Sequence, residues 1–254
     1  MIGLLIPPEV DPWGALALVV LSAFTSALSA AVGIGGGVTL LAAMTFVLPV
    51  TALIPVHAVV QFGSNAGRIA LLLKDVAWRL LGPFVAGGLV GAVLGGALVT
   101  DLPEEVLLLV IGVFVTGMAW VRIPPLGRGE RGVIAAGGVA STVLTMFVGA
   151  TGPFVMTLFR NAGLSHRALV ATNAAGMSVQ HVLKMIVFGV LGFAFAQWVP
   201  LMVAMVAAGF VGTFAGARLL SRLPERGLSR ALQIVLTAIG VQLIARASLG
   251  LFSA

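Results

Sequence analysis

Residues 32–48 read Val-Gly-Ile-Gly-Gly-Gly-Val-Thr-Leu-Leu-Ala-Ala-Met-Thr-Phe-Val-Leu, a glycine cluster followed by an apolar run over 38–48. The apolar run before the cluster, over 14–32, is long enough to cross a membrane, because a spanning helix needs about 20 apolar residues. The run over 38–48 is too short to cross alone. The pattern therefore predicts a helix that enters the membrane, breaks at the glycines and turns back as a hairpin.

The rest of the chain is equally apolar. Of its 254 residues, 60% are hydrophobic and 9% are charged, and the mean hydropathy is +1.17. Soluble domains carry about 25% charged residues, so we predict an all-α integral membrane protein with no room for a soluble catalytic domain. The basic residues lie in short loops between apolar runs, which indicates orientation in a membrane and not nucleic acid binding. The chain has no cysteine, which excludes disulfides and thiolate metal sites.

The glycine break occurs twice. Residues 148–153 read Val-Gly-Ala-Thr-Gly-Pro, 116 positions after Val32, and precede a second short apolar run over 154–160. The same offset relates Arg68 to Lys184. The chain is therefore predicted to be an internal duplication, with a first membrane repeat over 1–121, a cytoplasmic linker over 122–131 and a second membrane repeat over 132–254. Apolar runs fall at 14–32, 38–48, 52–73, 79–99, 105–121, 132–148, 154–160, 168–190, 197–217 and 228–245.

Loop charges predict the topology. If each hairpin returns the chain to the side it came from, Arg246 lies on one side and all other loop cations lie on the opposite side. Those cations are Lys74, Arg79, Arg122, Arg128, Arg131, Arg160, Arg167, Arg218, Arg222, Arg226 and Arg230. The basic side is expected to be cytoplasmic, with both termini outside. Each repeat then has three transmembrane helices plus a broken re-entrant hairpin, and the two repeats are inverted, as in many secondary transporters.

Four tryptophans fall at predicted helix ends, which is the pattern of an aromatic belt at the membrane interface. Trp13 and Trp198 lie at predicted outer ends, and Trp78 and Trp120 lie at inner ends. We therefore expect all four side chains to face the membrane interface.

Two of the apolar runs carry a polar face. The first presents His57, Gln61, Ser64, Asn65 and Arg68, and the second presents Thr172, Asn173, Gln180, His181 and Lys184, both at helical spacing. An ionisable residue inside a membrane costs at least about 2.5 to 3.5 kcal/mol on insertion scales, so it normally faces a cavity or a partner. No acidic residue falls deep in a predicted span, and a permeating anion would supply the missing partner. Glycine breaks add backbone N–H groups and positive helix ends.

These features predict a binding site for a small anion. The candidate substrate-binding residues are Gly33, Gly35, Gly36, Gly37, His57, Gln61, Ser64, Asn65, Arg68, Gly149, Thr151, Gly152, Thr172, Asn173, Gln180, His181 and Lys184. The glycines would supply backbone donors, the amides would orient the anion, and Arg68 and Lys184 would attract it. The glycine motif lacks the Lys-Ser/Thr ending of a phosphate-binding P-loop, and no zinc-protease motif or acidic metal cage is present, so we expect no catalytic residue, bound metal or cofactor.

Structural explanations exist for the same residues. Arg68 and Lys184 lie near helix ends, where a long side chain can extend to the membrane interface. The histidines and amides can also serve as hydrogen-bond partners between helices. The sequence leaves these alternatives open.

The motifs resemble those of the TauE/SafE family of sulfite exporters and related permeases. The resemblance rests on residues 32–37, their copy over 148–153, and the run Ala-Leu-Val-Ala-Thr-Asn over 168–173, and it extends over nearly the whole chain. The family usually has a proline in the run after the first glycines, where this chain has residues 38–42, Val-Thr-Leu-Leu-Ala. It also usually has a Thr-Ser pair at the start of the polar helix, where this chain has Val56-His57 and Thr172-Asn173. The resemblance implies transport of small sulfur-containing anions such as sulfite, sulfonates or sulfoacetate, without a bound cofactor.

We therefore expect a secondary transporter of such anions in the bacterial cytoplasmic membrane, working by alternating access in contact with membrane lipid. Protons are the candidate coupling ion, through His57 or His181, because histidine changes charge near physiological pH. An anion channel with uncoupled conductance is the alternative. An intramembrane enzyme or assembly factor is a third class, disfavoured by the lack of a catalytic constellation. The exact anion, the direction of transport and the oligomeric state do not follow from the sequence.

Overall fold

The computed structural model describes residues 6–32, 35–99, 103–120, 130–160, 162–219 and 225–253, and all regular structure in these ranges is helical. The first half contains α1 (Pro12–Val32), α2 (Gly36–Met44), α3 (Val50–Leu72), α4 (Trp78–Val99) and α5 (Glu104–Trp120). The second half contains α6 (Arg131–Val148), α7 (Gly152–Arg160), α8 (His166–Val190), α9 (Val199–Leu219) and α10 (Glu225–Ser253). Gly33 and linker residues 122–129 lie outside the described ranges. Every predicted apolar run forms a helix, and the short runs after the glycine breaks form helices of nine residues each.

Glycine is required at both breaks for steric reasons. Gly35 and Gly149 have φ angles of 98° and 71°, in the left-handed region that side chains with a Cβ disfavour. Gly36, the first residue of α2, lies directly against α1. A Cβ at this position would collide with the carbonyl of Thr25 and the hydroxyl of Ser29. The short helix α2 therefore packs against α1 only because position 36 has no side chain.

The two halves repeat their helix starts. Helices α2 and α3 begin at Gly36 and Val50, and α7 and α8 begin 116 positions later at Gly152 and His166. Helices α4 and α5 precede α9 and α10 by 121 positions in the same way, at Trp78 and Glu104 against Val199 and Glu225.

The helix packing repeats as well. A Cβ at Gly91 on α4 would meet the Val139 carbonyl on α6, and a Cβ at Gly212 on α9 would meet the Ala23 carbonyl on α1. Gly91 and Gly212 are 121 positions apart, and Ala23 and Val139 are 116 positions apart. Each contact is therefore the counterpart of the other in the opposite half. The glycines of α4 and α9 thus form small-residue faces that let backbones approach closely.

Two of the pairs of equivalent helices, α3 with α8 and α5 with α10, pack against each other in antiparallel orientation. Helix α5 donates from Trp120 Nε1 to Thr237 Oγ1 of α10 at 2.7 Å, while Arg246 and Glu104 approach to 4.0 Å at the opposite end of this pair. Helices α3 and α8 are also neighbours. The turn after α3 reaches the start of α8, where Arg167 Nε donates to Asp75 Oδ2 at 2.7 Å. The connections after α3 and before α8 therefore lie at one end of the bundle.

The structure is that of an all-α membrane protein, as predicted. Within the described ranges, five helices are long and apolar enough to cross a membrane, with spans over 12–30, 78–99, 131–148, 195–215 and 233–251. Their outward faces expose large apolar side chains such as Val93 and Val211. Helices α3 and α8 are not among the five, and they carry the polar faces.

One interfacial prediction is wrong. Trp13, Trp78 and Trp120 are exposed, but Trp198 is only 1% exposed and stacks on Phe193 at 6.4 Å between ring centroids. A 3-10 turn over Phe195–Trp198 directs this side chain into the core ahead of α9. Position at a helix end therefore does not place a tryptophan at the membrane interface when the connection folds back over the bundle.

Candidate anion-binding cavity

A cavity of about 40 Å³ lies between the two glycine breaks and the facing polar sides of α3 and α8. It is lined by Ser29, Gly35, Gly37, Val38, His57, Gln61, Asn65, Arg68, Ala150, Gly152, Pro153, Asn173, Met177 and His181. Roughly 10 to 15 Å³ is enough to hold one water molecule. The cavity therefore has room for a few atoms of that size, which suits a small oxyanion.

Helix α3 supplies the basic wall of the cavity. Arg68 is 5% exposed, and its Nη2 donates to Asn65 Oδ1 at 2.8 Å. Asn65 in turn donates from Nδ2 to the Gln61 carbonyl at 2.7 Å. The Nε of Arg68 is buried without a hydrogen-bond partner. The guanidinium is thus fixed in direction while part of its donor capacity remains unused.

Two buried histidines meet at the cavity. His57 and His181 are 0% and 1% exposed, and their rings are arranged edge to face with centroids 6.1 Å apart. His57 Nε2 donates to the Gly37 carbonyl at 2.9 Å. Because a carbonyl only accepts, Nε2 must carry the hydrogen, which assigns the tautomer of neutral His57. Among the described residues, Nδ1 of each histidine is buried without a hydrogen-bond partner.

Helix α8 contributes a less basic wall. Asn173, Met177 and His181 line the cavity from this side. Asn173 is 2% exposed, and its Oδ1 is buried without a partner. The wall therefore offers an amide and an imidazole next to an apolar thioether.

Four predicted site residues at or against the second glycine break do not line the cavity, namely Gly149, Thr151, Gln180 and Lys184. Gln180 donates from Nε2 to Ser141 Oγ at 2.8 Å and to Thr142 Oγ1 at 3.1 Å, and its Oε1 accepts from Thr151 Oγ1 at 2.9 Å. The ammonium group of Lys184 donates to the carbonyl of Gly149. Gln180, Thr151 and Lys184 therefore use their polar groups in hydrogen bonds within the protein.

Three further predicted residues also lie outside the lining. Ser64 is buried, and its hydroxyl has no partner. Thr172 Oγ1 accepts from the Ala77 N–H at 2.9 Å, which ties α8 to the start of α4. Gly36 packs against α1. Arg68 and Lys184 are 5% and 0% exposed and are enclosed by protein, so neither side chain extends to the membrane interface.

Five lining residues were not predicted from the sequence, namely Ser29, Val38, Ala150, Pro153 and Met177. Two carried a usable signal. Met177 occupies the position equivalent to Gln61 at the offset of 116. Ser29 continues a hydroxyl-bearing face of α1 that begins at Ser22. The helical spacing of serine and threonine in α1 therefore indicates a polar face that includes Ser29.

The electrostatics of the cavity favour an anion. Helices α2 and α7 both begin at its edge, and the N–H groups of a first helical turn have no partner within their own helix. The positive dipole ends of these helices favour negative charge. Arg68 adds a full positive charge, and the described residues of the lining include no acidic side chain. In the part of the chain that the structure describes, no group of three or more histidines and carboxylates could hold a metal ion.

Comparison with known proteins identifies the family. A sequence model described as "Sulfite exporter TauE/SafE" matches residues 18–243. The chain belongs to the TauE/SafE family. It is similar to the probable inner membrane transporter protein TsaS of Comamonas testosteroni, with 28% identity over 185 residues that cover 68% of this chain and 74% of that protein. No solved structure matches the chain. The resemblance inferred from the glycine motifs is thus confirmed, and the chain is a transport protein of the TauE/SafE type.

Proposed function

We propose that this TauE/SafE protein is an inner-membrane secondary transporter of a small sulfur-containing anion, such as sulfite or an organosulfonate. The observation that carries the proposal is the cavity. It joins both glycine breaks and contains a buried arginine, and no carboxylate occurs among its described lining residues. A buried cation without an acidic partner is costly, and an anion in the cavity would supply the partner.

The lining residues suggest distinct roles in binding. Arg68 donates to the anion, since a guanidinium matches the geometry of an oxyanion. Backbone N–H groups around Gly37 and Gly152 add donors from two helix starts. Asn65 and Asn173 orient the anion from opposite walls. The thioether of Met177 would contact the organic group of an organosulfonate.

Alternating access is supported by the repeated architecture. Two pairs of equivalent helices, α3 with α8 and α5 with α10, pack in antiparallel orientation, as expected for inverted repeats around a central site. Rocking of one half against the other would open the cavity to each side in turn. An anion channel would keep the same cavity but need no such movement. Saturable, gradient-coupled flux in liposomes indicates the carrier, whereas uncoupled conductance indicates the channel.

Proton coupling through the histidine pair is the finer part of the proposal. Histidine can change charge at physiological pH, and both rings line the cavity, each with a buried Nδ1 that has no hydrogen-bond partner among the described residues. Arg68 lies on the same helix as His57, and Lys184 on the same helix as His181. A proton on either ring adds to this positive charge, so anion and proton would each strengthen the binding of the other.

The orientation in the membrane is proposed from the loop charges, with both termini outside. The ion pair between Asp75 and Arg167 supports it, because it joins two connections that both belong to the predicted cytoplasmic side. The chain has no cysteine, so single cysteines at Gly127, Glu225 or Asp101 can be labelled selectively. The first two should react with a membrane-impermeant thiol reagent only after cells are opened, and the third should react from outside. The reverse pattern would reject the orientation.

Ligand-dependent stabilisation tests the substrate class. A ligand that binds only the folded protein raises its thermal midpoint by mass action. Sulfite, sulfate, thiosulfate and organosulfonates should be compared at matched ionic strength with chloride. A rise with at least one sulfur oxyanion is expected. No rise with any member of the panel would count against the proposed substrate class.

A further inference from the structure

Lys184 lies wholly inside the protein, yet it does not line the cavity. Its side chain is 0% exposed, and its ammonium group donates to the carbonyl of Gly149. Gly149 directly follows the last residue of α6 and has a φ of 71°. The lysine of α8 therefore binds the second glycine break at the point where the chain leaves α6.

Gln180, one helical turn earlier on α8, binds the same region. Its two amide hydrogens go to Ser141 and Thr142 of α6, and its carbonyl oxygen accepts from Thr151 in the break. Three of the four hydrogen bonds available to a glutamine side chain are thus used within the protein. Gln180 and Lys184 together fasten both ends of residues 149–151 to α8.

We propose that Lys184, with Gln180 and Thr151, is a positioning residue that holds the second glycine break in shape, whereas its repeat counterpart Arg68 is the cation that contacts the anion. The inference rests on the proposed anion site. The two repeats would then have divided one ancestral basic position into a structural role and a binding role.

The local charges account for this division. The C-terminal end of a helix is the negative end of its dipole, and a cation is stabilised there. The ammonium group of Lys184, a residue of α8, lies at the C-terminal end of α6. Its charge therefore has a partner that does not depend on a bound anion. Arg68 instead donates to a neutral amide and keeps a buried Nε without a partner. The residue types fit these roles, because an ammonium group is a compact point charge and a guanidinium binds oxyanions through two parallel donors.

Hydrogen exchange of the break, measured without any anion, separates the two roles. Lys184→Met removes the charge and the donor at similar length. Amides in 149–155 should exchange about tenfold faster or more in this variant, since the break loses a charge-assisted hydrogen bond. Lys184→Arg, which keeps the charge and the donor, should show a smaller change. Arg68→Gln should leave the segment unchanged. Lys74→Met, at the only other lysine and an exposed position, is the matched control.

Thr151→Val provides a second test in case Lys184→Met does not fold. It removes only the hydroxyl that donates to Gln180 and changes no charge. It should also accelerate exchange in the break. Where Lys184→Met folds, it can also be combined with Thr151→Val. The fold-increase in the Kd for sulfite in the double variant should be less than the product of the two single fold-increases, because both residues stabilise one segment.

The inference would be overturned by two results together. Hydrogen exchange in Lys184→Met would be as in wild type, and the fold-increases in the Kd for sulfite from Lys184→Met and Thr151→Val would multiply in the double variant. Lys184 would then be a direct anion ligand. The exchange measurement needs no substrate. If no anion binds the wild-type protein but the break still loosens in both variants, the proposed transport function fails while the positioning role stands.

Discussion

Replacing Arg68 with glutamine tests the proposed anion contact. Among the described residues that line the cavity, Arg68 is the only basic one besides the two histidines. Glutamine keeps a hydrogen-bond donor that can still reach Asn65, three positions earlier on the same helix face. It removes the positive charge and the parallel donors that an oxyanion would use.

The size of the effect follows from one lost charge-assisted hydrogen bond. Hydrogen bonds to charged groups contribute roughly 1.5 to 3 kcal/mol. At about 1.4 kcal/mol per tenfold change, the Kd for the anion should rise by about 10-fold to 150-fold. The folded protein should not lose thermal stability without anion, because the variant also removes the desolvation cost of a buried charge.

The assay is the anion-dependent shift of the thermal midpoint in detergent, titrated with sulfite. Arg131→Gln, at the exposed first residue of α6, serves as the control and should bind as wild type. A Kd for Arg68→Gln within about threefold of wild type, in a variant that folds normally, would refute the role of Arg68.

Two more predictions concern the histidine pair and the first glycine break. Wild type should bind the anion more tightly as the pH falls from about 8 to 5, and the double variant His57→Gln, His181→Gln should lose this pH dependence. The control His166→Gln, at an exposed position, should keep it. An unaltered pH profile in the double variant would make the two buried histidines structural. Gly36→Ala should destabilise the protein by at least about 1 to 3 kcal/mol through the collision with α1, seen as a lower melting temperature. Gly117→Ala on α5, with open space around it, should not, and equal melting temperatures for the two variants would contradict the packing explanation.

The helices were predictable because apolar runs and breakers are local features of the sequence. Glycine clusters at residues 33–37 and 149–152 mark both breaks, and the offset of 116 in the sequence also relates the starts of α2 and α3 to those of α7 and α8. Pro55 and Pro83 lie inside α3 and α4 without ending them. Local propensity alone would have placed helix ends there.

The division of the polar face of α8 was not predictable in the same way. Helical spacing groups Asn173, Gln180, His181 and Lys184 on one side, but it does not say which neighbouring helix each residue meets. The structure places Asn173 and His181 at the cavity and the other two against α6 and the second break. That distinction depends on packing between distant segments, which no single helix encodes.

Uptake by the purified protein is the most direct test of transport at this cavity. Proteoliposomes that contain wild-type protein or Arg68→Gln should be given radiolabelled sulfite with and without an inward proton gradient. The wild type is predicted to show saturable uptake that accumulates sulfite against its concentration gradient only when protons flow inward, and Arg68→Gln should need a much higher sulfite concentration. Flux no greater than in protein-free liposomes would contradict sulfite transport. Flux that neither saturates nor responds to the gradient would contradict the carrier mechanism.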